Sequence, residues 1–291
     1  MPIYDQPSPL DPILRAPDAN SIVWKRACDW RILIAGGRSL VLQVAHPVVA
    51  AGVAQHSNFA ADPWRRLIGT LEMYVGGVLF GWPDGALNSS ARLRKMHERI
   101  SGVDLNGRQY HALQPDAFAW VHATLVDGLF SMLERFGSPL RGVELDQYYD
   151  EMRDVGRLLG VRSQDMPPDW MRFRANFDEI TRTVLQDNQV VRQILATLMH
   201  APRPAAIRLP SPLWDGILWP AAGHFAMLST VGLLPPVMRE RLGLQWTRRQ
   251  EFELNAHAGF VRRIVPLLPS RVRMHPWAYA AFQRTAGKAA A

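Results

Sequence analysis

The chain has 291 residues, 48% of them apolar, and a formal charge of +7. That length can bury a sizeable core and fits one large domain or two intimately packed ones. A single cysteine, Cys28, excludes an intramolecular disulfide and any cysteine-rich zinc or iron–sulfur centre.

Residues 1–20 carry five prolines and no apolar period, and read as an extended lead-in. Residues 21–291 read as one all-α domain of about ten to twelve helices, with the second to fifth around one pocket. The N-terminus lacks a basic and then apolar leader, so a cytoplasmic protein is the expectation. Ser21 is expected to cap a first helix that ends at Gly36-Gly37. A second helix is expected over 38–55, kinked at Pro47, which frees the carbonyl of Gln43. Residues 32–54 are the most apolar stretch, but Arg38, Gln43, His46 and Pro47 interrupt it, so it reads as a buried helix rather than a membrane span. Asp62-Pro63 opens a third helix that runs to Val75, before Gly76-Gly77. Ser89 is expected to cap a fourth, ending near Gly102. A fifth begins at Pro115, carries an apolar stripe from Phe118 to Phe136, and stops at Gly137. Further helices are expected at about 144–159, 169–186, 188–200, 212–231, 235–242, 248–264 and 276–286. Thr247 with Gln250 fits a capping box. A Pro-rich connector runs from Pro202 to Pro212, and no stretch shows strand alternation.

His97 is the leading candidate functional residue. Leu93, His97 and Ile100 share one helical face, so the imidazole is expected to point inward, with Arg94 beside it. A buried imidazole needs a hydrogen-bond partner or a metal, and a neighbouring arginine implies an anion. Haem iron with its propionates supplies both; a core histidine bonded to a backbone carbonyl is the other reading. His46, before Pro47 in a run of small residues, is either a capping histidine at a tight helix crossing or part of a pocket wall. Arg66 and Thr70 share a helical face and read either as a solvated pair or as a site for an oxygen species or a propionate. His122 lies in the apolar stripe of the fifth helix and competes with His97 as a ligand. No phosphate loop, Gly-x-Ser-x-Gly elbow or His-Glu-x-x-His helix occurs. The arginines are scattered and no nucleic-acid-binding motif is visible, so no nucleic-acid partner is expected. A basic face favours acidic ligands or contact with an anionic membrane surface.

Taken together, Leu42-Gln43-Val44-Ala45-His46-Pro47, His56, Asp62-Pro63-Trp64, Arg94-x-x-His97 and Trp120-Val121-His122-Ala123-Thr124 resemble the MpaB/rubber oxygenase catalytic-domain family over about residues 20–280. The resemblance implies an all-α fold carrying haem b, with His97 as proximal iron ligand and Arg94 near a propionate. Arg66 and Thr70 would then lie on the distal side, where they polarise and position dioxygen. His46 is expected to contribute to cofactor binding. Ser101 stands where the family's second arginine falls. Gly69 stands where its distal lysine falls, so the distal side is expected to be open or closed by water. No Asp or Glu occurs between Asp29 and Asp62, where rubber-cleaving members place a carboxylate. The expectation is a haem-b-dependent oxygenase or oxidase acting on a hydrophobic small molecule with dioxygen. A haem-binding or gas-sensing protein without turnover, and a haemless helical lipid or ligand carrier, remain the other two readings.

Overall fold

The computed structural model describes residues 15–59, 61–81, 84–204 and 208–289; most of the lead-in, residues 1–14, lies outside them. The chain is all-α. In order, it runs α1 (Ile22–Ala27), a 3-10 turn (Trp30–Leu33), α2 (Ile34–Ala45), α3 (Pro47–His56), and α4 (Pro63–Leu71), which continues as a π-helix (Glu72–Leu79). Then come α5 (Asp84–His97), the antiparallel pair β1 (Ser101–Val103) and β2 (Gln109–His111), α6 (Pro115–Phe136), α7 (Val143–Leu159), a 3-10 turn (Ser163–Asp165), α8 (Trp170–Thr183) and α9 (Gln189–Met199). The last part is α10 (Ser211–Leu213), which passes through a π-helix (Trp214–Leu218) into α11 (Trp219–Leu233), then α12 (Pro236–Arg241), α13 (Arg248–Ile264), a 3-10 turn (Val265–Leu267), α14 (Ser270–Arg273) and α15 (Pro276–Ala289).

Several starts follow from local chemistry. The Ser21, Asp62, Asp169 and Asn188 side chains each accept an orphan backbone N–H at a helix start. Thr247 and Gln250 form the expected capping box. The glycine pairs were expected to end helices, but α2 runs through Gly36-Gly37 and the π-helix runs through Gly76-Gly77. These glycines serve close packing instead: a Cβ at Gly37 would collide with Thr230 on α11, and one at Gly76 would lie 2.6 Å from Trp277 on α15. The first helix ends early because Asp29 turns the chain, accepting the Arg31 N–H at 3.0 Å. Pro47 breaks the second helix rather than kinking it; the run up to Ala45 and α3 are bent by 102°. The Gln43 carbonyl is not left free, because the His46 N–H takes it at 3.2 Å. Ser89 is mid-helix, since α5 already begins at Asp84, and Gly102 pairs with Tyr110 in the hairpin rather than ending a helix. Strands of three residues are too short to show alternation in sequence.

α2 and α6 form the centre, with α11 and α9 packed on α2. Trp24, Trp120, Tyr148, Phe80, Phe136 and Phe177 are fully buried in the core. Trp120 donates to the Leu42 carbonyl at 2.9 Å, and Tyr148 to the Val126 carbonyl at 2.6 Å, so burial leaves both polar tips satisfied. The run Trp214–Leu233 is long and apolar enough to cross a membrane, yet Leu228, Ser229, Thr230 and Val231 at its C-terminal end are buried in the fold.

Candidate functional site

His97 is the last residue of α5. Its Nδ1 lies 2.8 Å from the carbonyl of Leu93, one turn back on the same helix. A carbonyl only accepts, so Nδ1 carries the proton and Nε2 presents its lone pair. Nε2 makes no hydrogen bond among the described residues. The ring is half-buried and meets the edge of Phe118 on α6, 5.9 Å between centroids. Burial pushes the imidazole pKa down; the Leu93 bond opposes this, and the positive charge of Arg66 adds to it. The ring is therefore neutral at pH 7, the form that ligates a metal.

The charge of Arg66 on α4 is felt at His97. The Arg66 side chain is exposed, as is that of Thr70. The Thr70 hydroxyl donates to the Arg66 carbonyl at 2.9 Å, so it is engaged by its own helix and retains only acceptor capacity. Arg94 lies one turn from His97, but its Nε is 3.8 Å from Glu98. Its guanidinium rests against Gly160, whose left-handed φ of 93° ends α7; a Cβ there would sit 2.6 Å from the Arg94 Nη1. His46 is placed apart from this group. It occupies the α2–α3 break, is buried, and its Nδ1 has no partner. Burial lowers its pKa, and the charges that reach it are Asp116, Arg108 and Asp104 rather than Arg66. Among the described residues no three His, Cys, Asp or Glu side chains cluster to hold a metal ion.

His122 is a core histidine. Its Nε2 bonds the Met152 carbonyl at 2.8 Å, and burial drives its pKa down to about 4. Gly156 on α7 makes room for the ring: a Cβ there would be 2.8 Å from Nε2 and 2.5 Å from the Met166 Sδ. A cavity of about 610 Å³ adjoins this point, lined by Ala119, Trp120, His122, Tyr149, Met166 and Phe173 among others. The second to fifth helices were expected to enclose a pocket. This cavity instead lies between α6, α7, the Ser163–Asp165 turn and α8, and neither Arg66 nor His97 lines it. Phe118 and His122 are one turn apart on α6, so the cavity and the His97 ring meet adjacent turns of one helix.

Sequence reasoning missed one charged cluster. Asp127 on α6 is fully buried and pairs with Arg38 of α2 and Arg174 of α8. Arg38 is itself buried, donates to the Leu233 carbonyl at 2.7 Å, and lies over the Phe177 ring at 5.7 Å. Its signal was an arginine inside the most apolar stretch of the chain, and the partner lay far away in sequence.

The domain is all-α, and its candidate site places a neutral His97 ring one turn from Arg94 on α5. The family model described as "ER-bound oxygenase mpaB/B'/Rubber oxygenase, catalytic domain" matches residues 24–263. The chain belongs to that family and carries an oxygenase-type catalytic domain. It is also similar to the uncharacterized proteins Mb2261 of Mycobacterium bovis and Rv2237 of Mycobacterium tuberculosis. Each is 24% identical over 237 residues, spanning 80% of this chain and 88% of the relative. No solved structure matches the chain.

Proposed function

We propose that this chain is a haem-b-dependent oxygenase acting on a hydrophobic small molecule, with His97 as the iron ligand. The observation that carries the reading is the His97 tautomer. A hydrogen bond from Nδ1 to the carbonyl of Leu93 fixes the ring and leaves a neutral Nε2, the arrangement a proximal ligand requires. Haem, when bound, supplies the dioxygen chemistry, and the protein supplies ligation, orientation and exclusion of water. Arg66 places a positive charge beside the ligand, where a propionate or developing negative charge is stabilised. Arg94, one turn from His97 and 3.8 Å from Glu98, would be the partner of a propionate. Thr70 contributes an acceptor, and the buried His46, whose Nδ1 has no partner among the described residues, would contribute to cofactor binding. The cavity sets an apolar wall of Trp120, Tyr149, Met166 and Phe173 against polar groups that include Asp116, Arg153 and Asn176, which suits a mostly hydrophobic substrate with a polar end.

The test is oxygen uptake by the haem-reconstituted protein over a panel of terpenoids, alkenes and aromatics. Wild type is expected to turn over at least one compound. Arg66→Ala is expected to be slower by ~100-fold or more, the usual cost of losing one charge-stabilising donor. Tight haem binding with no turnover across the panel would replace this reading with a haem carrier or gas sensor. The engagement of the Thr70 hydroxyl by its own helix favours that second reading.

A further inference from the structure

The C-terminal part of the chain combines exposed apolar side chains with unopposed positive charge. On α13, Phe252, Phe260 and Ile264 recur at multiples of four and so share a face. That face looks into solvent: Phe252 is 77% exposed and Phe260 64%. Beyond the helix the pattern continues, with Leu267 at 78%, Val272 at 58%, and Leu268 also exposed. The segment is fixed, not loose. Asp29 bridges to Met274, the His275 N–H donates to the Cys28 carbonyl at 3.2 Å, and the exposed Trp30 ring lies 6.2 Å from His275. Apolar tips held out on a rigid base are unusual on a soluble surface and mark a contact face.

Charge identifies what the face contacts. From Leu254 to Ala291 the chain has six basic residues, Arg262, Arg263, Arg271, Arg273, Arg284 and Lys288, and no Asp or Glu. Arg248 and Arg249 flank Phe252 at the start of α13. The two acids of α13, Glu251 and Glu253 on either side of Phe252, are engaged, Glu251 by Arg135 and Glu253 by His224. Arg262, Arg263 and Arg271 form no ion pair among the described residues. We propose that this face, α13 with the Val265–Leu267 turn and α14, docks the protein onto an anionic lipid bilayer. The leucine, valine and phenylalanine tips enter the acyl boundary while the arginines lie at headgroup level. A second copy of the same face is disfavoured, because two copies would set Arg262, Arg263 and Arg271 against one another while the two acids of α13, Glu251 and Glu253, are already engaged. The inference is independent of haem.

The test is co-sedimentation of the full chain with vesicles of phosphatidylcholine alone and of phosphatidylcholine mixed with phosphatidylglycerol. Binding is expected only to the mixed vesicles and should weaken with added salt. Leu267→Ser with Leu268→Ser should lower partitioning at least ~10-fold while the helical circular dichroism and melting temperature stay unchanged. Arg262→Gln with Arg263→Gln should lower it by roughly 25-fold, about fivefold per charge near an anionic surface. Equal binding to both vesicle types, or none to either, overturns the proposal. So does sedimentation showing a dimer of the wild type that the leucine variant dissolves, which would make the face a self-interface. Binding that phosphatidylglycerol promotes but the leucine variant retains would overturn the assignment to this face.

Discussion

At the scale of single residues, His122 and His97 each donate one ring nitrogen to a backbone carbonyl and leave the other without a partner among the described residues; they differ in burial, complete for His122 and partial for His97. His122 directs Nε2 into the Met152 carbonyl and is held neutral down to about pH 4. An unfolded imidazole titrates near pH 6.5. Between these values the unfolded chain binds a proton that the folded chain does not. Stability is therefore fully present above about pH 6.5, falls as pH drops towards about 4, and loses about 3 kcal/mol across that window from this group. His46, His97 and His275 are shifted in the same direction by burial and steepen the fall. Urea midpoints recorded between pH 7 and pH 5 should show it, and His122→Gln should flatten the slope. An unchanged slope in that variant would show that the proton enters elsewhere. A second expectation at this scale concerns Gly69, which has no side chain to offer the iron. The ferric haem complex should be five-coordinate or water-bound and take up cyanide readily; electron paramagnetic spectra showing a second strong nitrogen ligand in the resting state would refute it.

At the scale of elements, what could be read in advance was what neighbouring residues determine. The start of α6 at Pro115, its end at Gly137, the α13 span and its capping box are properties of a few adjacent residues. Glycine was misread where its role is tertiary. Gly37 and Gly76 look like stops in sequence but permit contact with Thr230 and Trp277, residues far along the chain. Of the site, the shared helix of His97 and Arg94 was legible, but nothing local shows that Thr70 bonds its own helix or that His46 faces a different set of charges. Close approach at Gly156 gives an element-level test. Gly156→Ala would place a methyl against the fully buried His122 and should destabilise the α6–α7 contact by ~1–3 kcal/mol. A denaturation midpoint equal to wild type would mean that His122 and Met166 can move aside.

At the scale of the whole molecule, Asp127 joins three helices, since its carboxylate is shared by Arg38 on α2 and Arg174 on α8. Removing it leaves Arg38 buried without its counter-ion, so Asp127→Asn should cost ~3–5 kcal/mol. Replacing Arg38 and Asp127 together by Met and Leu should recover much of that loss, because a well-packed apolar pair avoids the desolvation of both charges. Chemical denaturation of the two variants separates a structural cluster from a functional one. A fold of this kind can position a single axial ligand without a multi-residue metal cage, and that is the central claim to test. The most direct measurement is the absorption spectrum of the purified chain titrated with haem, for wild type, His97→Ala and His122→Ala. Wild type and His122→Ala should develop a saturable Soret band, and His97→Ala should fail to do so while keeping its helical circular dichroism. A normal Soret band in His97→Ala, or its loss in a folded His122→Ala protein, would contradict the assignment.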